Sequence, residues 1–356
     1  MKITDIKIQI INIPLVATFK TALRSVDQIE NIVITIMTDT DLVGFGGAAP
    51  TAVITGETTS SIGGAIEHIR DSILGMSLTE VENIFQRLNN CIVGNSSAKA
   101  AVDMAIYDLL AKNLKVPLYQ LLGGMSSTLE TDVTVSLDTP EKMIRESKEQ
   151  LSAGFNTLKV KVGGDPELDI NRLQLIREAI GSEARIRIDA NQGWSAKEAV
   201  QVGKELERNG VDIELMEQPV LARDFNGLRY VREHVNMPVY ADESVFSPRD
   251  ALDLIGMNAV DGLNIKLMKC GGIYNALKIA AIAETAGIPC MIGSMMESNV
   301  SVAAAAHLAA ARSIISRYDL DAPLFCSINP AVGGITYQGS RVCFSDTPGL
   351  GIESIG

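Results

Sequence analysis

The sequence predicts an α/β protein, a parallel barrel preceded by an α+β unit. Three observations carry this. From Thr131 onward, short apolar runs alternate with amphipathic stretches, the pattern of βαβ units on a parallel sheet. Eight such runs recur at intervals of roughly 25–30 residues with helical patterns between seven of them, which suggests a closed barrel. Before Thr131 that alternation is absent, and strands come first and helices after. An open doubly wound sheet is the competing arrangement.

In the first unit, Ile3–Ile13 alternates as a strand, Asn31–Thr38 is a second, and Thr40-Asp41 turns into a third at Val43–Gly46. A helix follows over Gly56–Leu74, with Ile62, Ile66, Ile69 and Ile73 at helical spacing. A longer helix runs from Ser97 to about Leu114 and stops before Pro117, and Gly123-Gly124 closes the unit. The barrel strands are read at Thr131–Leu137, Thr157–Val162, Arg185–Asp189, Ile213–Glu217, Val239–Asp242, Gly262–Leu267, Cys290–Gly293 and Ile315–Leu320. No eighth helix pattern follows Asp321, so the Gly-rich tail is expected to return to the first unit. The expected divisions are 1–125 (α+β), 126–325 (barrel) and 326–356 (returning tail).

Composition excludes several function classes. The chain has 356 residues, 46% of them apolar, which is enough for a large core and rules out disorder. Its 43 acidic against 31 basic residues give a net charge of −12, a poor match to nucleic acid. The longest apolar runs, such as Val302–Ala306, fall far short of the ~20 residues needed to span a bilayer, and the N-terminus shows no apolar signal segment. Five scattered cysteines without a C-x-x-C suit a reducing cytoplasm, the expected location. The expected partners are a small-molecule substrate and further copies of the chain. Gly44-Phe45-Gly46-Gly47 imitates a dinucleotide fingerprint but ends a hairpin strand, and Pro50 follows instead of a helix. His68, His234 and His307 lie in helical patterns away from strand ends, and Cys270 reads as structural.

In a parallel barrel the active groups stand at the C-terminal strand ends. The second strand ends in Lys159-Val160-Lys161-Val162-Gly163 and the third in Asp189-Ala190-Asn191. The fourth gives Glu217-Gln218-Pro219, the fifth Asp242-Glu243-Ser244, the sixth Lys266, and the eighth Asp319-Leu320-Asp321. Any one of these acids alone would be an ordinary cap or turn residue. Asp189, Glu217 and Asp242 in consecutive units form an oxygen-only set suited to a hard divalent ion, Mg²⁺. Lys159 and Lys161 share one strand face and lie across the mouth from Lys266. A second ammonium and a metal both lower a lysine's pKa and make it a base. Two bases flanking one carbon beside a metal are what a 1,1-proton transfer through an enediolate requires. Asp319 and Asp321 also share a face and are left to meet a substrate ammonium. A carboxylate and an ammonium about 7 Å apart, two residues at ~3.5 Å each, describe a free dipeptide. That one of these acids caps, or pairs with Arg317 or another barrel residue, is the plainer alternative.

These motifs together resemble the enolase superfamily, its muconate-lactonizing subgroup, and within that the dipeptide epimerases. K-x-K, D-A-N, E-Q-P, A-D-E-S and N-I-K-x-x-K-x-G-G stand in order, and Ala98–Gly124 is similar to the segment leading from cap to barrel in that family. The resemblance covers essentially the whole chain, and D-x-D at Asp319 and Asp321 is what points to dipeptides. It implies a (β/α)7β barrel under an α+β capping domain, with Mg²⁺ on Asp189, Glu217 and Asp242. Lysine bases beside Mg²⁺ are the general pattern of that superfamily. It implies that Lys161 acts on the (R) substrate and Lys266 on the (S) substrate, with Lys159 near the substrate carboxylate. By position, Thr134, Ser294 and Met296 would contact substrate. Phe19–Arg24 resembles the first cap loop of L-Ala-D/L-Glu epimerases, where the arginine meets the glutamate side chain, so Arg24 favours an acidic substrate. Phe19, Ile54, Met295 and Met296 equally suit a pocket for hydrophobic dipeptides. Cycloisomerase or o-succinylbenzoate synthase chemistry would use the same lysines and metal but leave Asp319 and Asp321 unexplained. A non-catalytic metal-binding barrel would leave the lysines without a task.

Overall fold

The computed structural model describes residues 1–124, 126–182 and 184–356. The expected boundary at Met125 therefore falls outside the described residues.

The N-terminal unit is an antiparallel sheet of Ile3–Lys20, Ser25–Thr38 and Val43–Ala48, backed by helices Thr59–Ile73, Val81–Asn90 and Ser96–Leu114. The first two strands are longer than their alternation predicts. Their ladder slips between Pro14 and Phe19, then resumes with Phe19 opposite Val26 and Lys20 opposite Ser25. Residues 14–18 are largely exposed, so no core pattern marks this arm. The arm carries the hairpin tip, and Lys20 and Leu137 join it to the barrel mouth: the Leu137 N–H donates to the Lys20 carbonyl at 3.1 Å. The Val81–Asn90 helix was also silent in the sequence. It is short and buries only Ile84, Phe85 and Leu88.

The glycines at 44 and 46 have a packing explanation. A Cβ on Gly46 would stand 1.9 Å from the Ala101 carbonyl oxygen, and one on Gly44 would stand 2.2 Å from that of Ala105. The small residues therefore let the Ser96–Leu114 helix lie directly on the third strand. That helix is buried almost all round, and its Asp103 accepts the Ile273 and Tyr274 N–H groups at 2.5 and 3.2 Å, fixing the start of a barrel helix.

The barrel is one sheet of eight parallel strands in sequence order, Val133–Val135, Thr157–Lys161, Arg185–Asp189, Leu215–Glu217, Val239–Ala241, Gly262–Lys266, Cys290–Gly293 and Ile315–Asp319. Seven helices of nine to fifteen residues fill the intervals, and a single turn, Ala322–Phe325, follows the eighth strand. The outer strands meet where the Asp132 N–H donates to the Tyr318 carbonyl at 3.1 Å and the Leu320 N–H to Thr131 Oγ1 at 2.8 Å. This junction shortens the first strand relative to the expected Thr131–Leu137.

The tail bonds to both parts. Asp108 of the long helix accepts the Leu350 N–H at 2.7 Å, and the Thr131 N–H donates to the Ser340 carbonyl at 2.8 Å. His307 stacks on Tyr119 and meets Phe344 of the tail. The Tyr119 N–H donates to its Nδ1 at 3.1 Å, which requires the unprotonated nitrogen. Burial lowers the His307 pKa to about 3.

Two expectations follow. Gly46→Ala should lower unfolding free energy by about 1–3 kcal/mol or more, because backbone must move to admit the methyl, as read by urea unfolding. For His307 the unfolded chain takes up a proton below its ordinary pKa of 6.5, whereas the folded chain does so only near 3. This contribution is complete above 6.5 and is lost as pH falls toward 3. His307→Asn keeps an acceptor for Tyr119 and should flatten the acid limb of stability against pH.

Candidate active site

Successive inward residues of short parallel strands deliver charged groups to one end of the barrel. Lys159 and Lys161 do face the same side, as two-residue spacing demands. Lys159 is fully buried, with Nζ 2.7 Å from Asp319, 2.8 Å from Glu217 and 3.0 Å from Asp189. Lys161 Nζ lies 2.6 Å from Asp189. Lys266 Nζ lies 2.8 Å from Asp242 Oδ2, and Lys269 Nζ contacts Asp242 Oδ1 and its carbonyl. A Cβ on Gly293 would fall 2.9 Å from Lys266 Cε, so the seventh strand ends in glycine to leave the lysine room.

Asp189, Glu217 and Asp242 are buried and bring one oxygen each within 4.8 Å of the others. Glu217 Oε1 accepts from Asn264 Nδ2 at 2.7 Å, whereas Oε2 has no hydrogen bond and faces Lys159 by charge alone. Burial, and then the charge of Asp189, push the Glu217 carboxyl up to about 8. Three buried carboxylates converging as an oxygen-only donor set fit a hard divalent cation such as Mg²⁺. Burial raises Asp189 and Asp242, but their lysines outweigh it and hold both carboxyls low.

The loops are locked behind these acids. Gln218 takes φ 35°, outside the usual range for a side-chain-bearing residue, and Asn191 and Gln192 take 43° and 69°. All polar groups of the Gln218 amide are used: Oε1 accepts the Asp242 and Ser244 N–H groups at 2.9 and 3.1 Å, and Nε2 donates to the Val220 carbonyl and Ser244 Oγ at 2.8 and 2.9 Å. The E-Q-P glutamine thus aims Asp242.

Lys161, Lys266, Asp319, Asp321, Thr134 and Ser294 line one cavity at the barrel mouth, together with Arg24 and Met296. It holds about 570 Å³ of empty space including its open side. Lys159, Asp189 and Glu217 lie beneath it, fully buried. Phe19, Ile54 and Met295 also line it, as the apolar reading expects. Asp321 accepts the Thr134 N–H at 2.6 Å, and burial, with Asp319 next, pushes its carboxyl up to about 7. Arg317 pairs with Glu214 at 3.0 Å, whereas Asp319 pairs with Lys159 of the second barrel strand at 2.7 Å and also lines the cavity. Burial alone lowers the Arg24 pKa, and no carboxylate of the described residues pairs with it.

Burial lowers Lys159 and Lys266, but the surrounding carboxylates outweigh it and raise both. Asp132 belongs to no motif read from the sequence, and Asn264 and Lys269 stand in N-I-K-x-x-K-x-G-G without an assigned role. Asp132 pairs with Arg187 at 2.8 Å and clusters with Asp319 and Asp321, while Asn264 and Lys269 support Glu217 and Asp242. Asn264 stands two residues before Lys266 on the same face, a spacing signal that could have found it.

Residues 4–123 match the family described as mandelate racemase / muconate lactonizing enzyme, N-terminal domain, and residues 142–354 match enolase C-terminal domain-like. An L-Ala-D/L-Glu epimerase of Clostridium acetobutylicum is 54% identical over 356 residues, 100% of this chain and 99% of that protein. A substrate-liganded structure of the Bacillus subtilis L-Ala-D/L-Glu epimerase superposes with a TM-score of 0.99 at 47% identity, covering 100% of both chains. The Enterococcus faecalis dipeptide epimerase, complexed with Mg and L-Leu-L-Tyr, superposes with a TM-score of 0.97 at 42% identity over 99% of this chain and 100% of that one.

Adding Mg²⁺ should raise the melting temperature, since binding to the folded state alone stabilises it. Glu217→Gln should remove most of that rise. An undiminished shift in the variant would place the ion elsewhere.

Proposed function

We propose that this chain, which belongs to the mandelate racemase / muconate lactonizing enzyme family, epimerises dipeptides at the α-carbon of the C-terminal residue. The observation that carries this is the joint lining of one cavity by Lys161, Lys266 and the Asp319–Asp321 pair. Similarity to dipeptide epimerases over the full chain supports it.

Asp189, Glu217 and Asp242 would hold Mg²⁺. Bound there, the ion would supply positive charge to the substrate carboxylate as the α-proton leaves. Lys161 and Lys266 stand on separate strands and lean on separate acids, Asp189 and Asp242. One takes the α-proton as a neutral amine, and the other, as an ammonium, returns a proton to the opposite face. The assignment of Lys161 to the (R) and Lys266 to the (S) substrate follows the family pattern. Lys159, held by three carboxylates, places positive charge under the substrate carboxylate. Asp319 and Asp321 receive the N-terminal ammonium, and Thr134 keeps Asp321 turned toward it. Ser294 and Met296 border the substrate.

Among dipeptides, an acidic C-terminal side chain, as in L-Ala-D/L-Glu, suits Arg24. Its guanidinium lines the cavity without an ionic partner among the described residues. The apolar wall of Phe19, Ile54, Met295 and Met296 supports hydrophobic dipeptides as the second reading. No helix among the described residues is long and apolar enough to cross a membrane.

Incubation with L-Ala-L-Glu and Mg²⁺ in D₂O should place deuterium only at the glutamate α-carbon, as read by NMR. No exchange across a broad dipeptide library would defeat the proposal. Lys266→Ala should abolish exchange from the L,L isomer while sparing some from the L,D isomer, and Lys161→Ala should do the converse. Arg24→Met should reduce kcat/KM for L-Ala-L-Glu by roughly 10–100-fold and leave L-Ala-L-Leu nearly unchanged, the scale of losing a charge-assisted contact. Equal loss on both substrates would refute the acidic preference.

A further inference from the structure

The loop after the seventh barrel strand, Ser294–Ser298, contributes three residues to the substrate cavity, Ser294, Met295 and Met296. Its shape is held by a side chain from the other part of the molecule. Asn31, in the central strand of the N-terminal sheet, is 1% exposed. Its Oδ1 accepts the Ser298 N–H at 2.6 Å, and its Nδ2 donates to the Glu30 carbonyl at 2.9 Å and to the Met296 carbonyl at 3.4 Å. Glu297, also buried, closes the loop from inside by accepting the Met295 N–H at 2.7 Å.

The strand that carries Asn31 begins at Ser25, directly after Arg24. It is paired on both sides, with Asn31 opposite Ile11 and Ile32 opposite Ala48, so it cannot slide alone. Arg24 and Met296 border both the substrate cavity and the groove running out of it past Gln28 and Glu30. One strand therefore fixes two walls of the space where a C-terminal side chain would lie. It fixes one through its own start and the other through the Asn31 amide.

We propose that Asn31 is a specificity-positioning residue: by clasping the Ser298 N–H and the Met296 carbonyl, it sets the Met296 wall relative to Arg24 and so selects the dipeptide side chain. This rests on the dipeptide reading above. Asn31 touches no reacting atom, and its effect passes through Met296. Truncation leaves a buried N–H and a buried carbonyl unpaired, so the loop is expected to relax to a different path.

The test compares the unaltered protein with Asn31→Ala and Asn31→Asp. The aspartate can still accept from Ser298 but cannot donate to Met296. With Mg²⁺ present, α-proton exchange is measured on L-Ala-L-Glu and L-Ala-L-Leu, and amide hydrogen exchange is followed across residues 294–298. Asn31→Ala should change the Glu-to-Leu ratio of kcat/KM by roughly tenfold or more, mainly through KM, the scale of a small misplacement near a site. Asn31→Asp should fall between. Amide exchange at 295–298 should quicken in both variants while the barrel strands stay protected. A uniform loss on both substrates with an unchanged ratio would indicate a merely structural role and overturn the proposal. So would unchanged loop exchange. In the unaltered protein the Ser298 amide should exchange slowly, and fast exchange there overturns the clasp even if neither variant folds. Should no dipeptide be turned over by the unaltered protein, the dipeptide reading fails, whereas the loop measurements still judge the clasp.

Discussion

The buried ammonium of Lys159 is the contact on which the barrel mouth depends. It reaches Asp189, Glu217 and Asp319, which come from three different strands. Carboxylates this close would repel one another strongly away from water, and burial already pushes Glu217 up. A lysine with three donors and no exposure lets the third, fourth and eighth strands end in acids at one level. Removing one partner of such a set leaves charge uncompensated, so these residues hold each other in place as much as they hold a ligand. Lys269 does the same for Asp242 from behind.

The second constraint is the seating of the N-terminal unit on that mouth. Its approach is set by directional bonds to the barrel, from the Ile273 and Tyr274 N–H groups to Asp103 and from the Ser298 N–H to Asn31. Close packing leaves little slack, since interiors have the density of molecular crystals. The hairpin tip then arrives over the cavity at a defined height, bringing Phe19 and Arg24 with it. Lys20 adds an ion pair to Asp138 at 2.8 Å, which is partly exposed and contributes little beside the packing.

Most of this plan was legible in the sequence because strand ends are periodic landmarks. Arg185–Asp189 and Cys290–Gly293 were placed to the residue, and every acid and lysine named from strand ends stands at the barrel mouth or directly beneath it. What escaped has a common physical origin. The hairpin arm 14–20 and the Val81–Asn90 helix bury too few residues to print a period. Asp132 lies at the barrel seam, where side chains meet across 187 residues of sequence, as in the bond between Asp321 and Thr134. Lys269 is part of the N-I-K-x-x-K-x-G-G motif, but its task is hidden because it sits inside a one-turn helix whose direction only the fold decides. The glycines at 44 and 46 were recognised as no nucleotide loop, but their true partner, the helix backbone at Ala101 and Ala105, is invisible locally.

The clustered lysines fit the proposed chemistry through a charge balance. Asp189, Glu217, Asp242 and Asp319 ion-pair directly with Lys159, Lys161, Lys266 and Lys269, four acids against four ammonium groups. In so buried a set, further positive charge is offset by a substrate carboxylate, by neighbouring acids such as Asp321 and Glu243, or by a lysine that gives up its proton. Lys159 and Lys269 are each wedged among several oxygens and stand outside the cavity lining, away from a substrate. Lys161 and Lys266 each pair with one carboxylate and border the cavity. The same geometry therefore designates Lys161 and Lys266 as the two that could exchange protons with a substrate. It also explains why four lysines are present when the chemistry needs two.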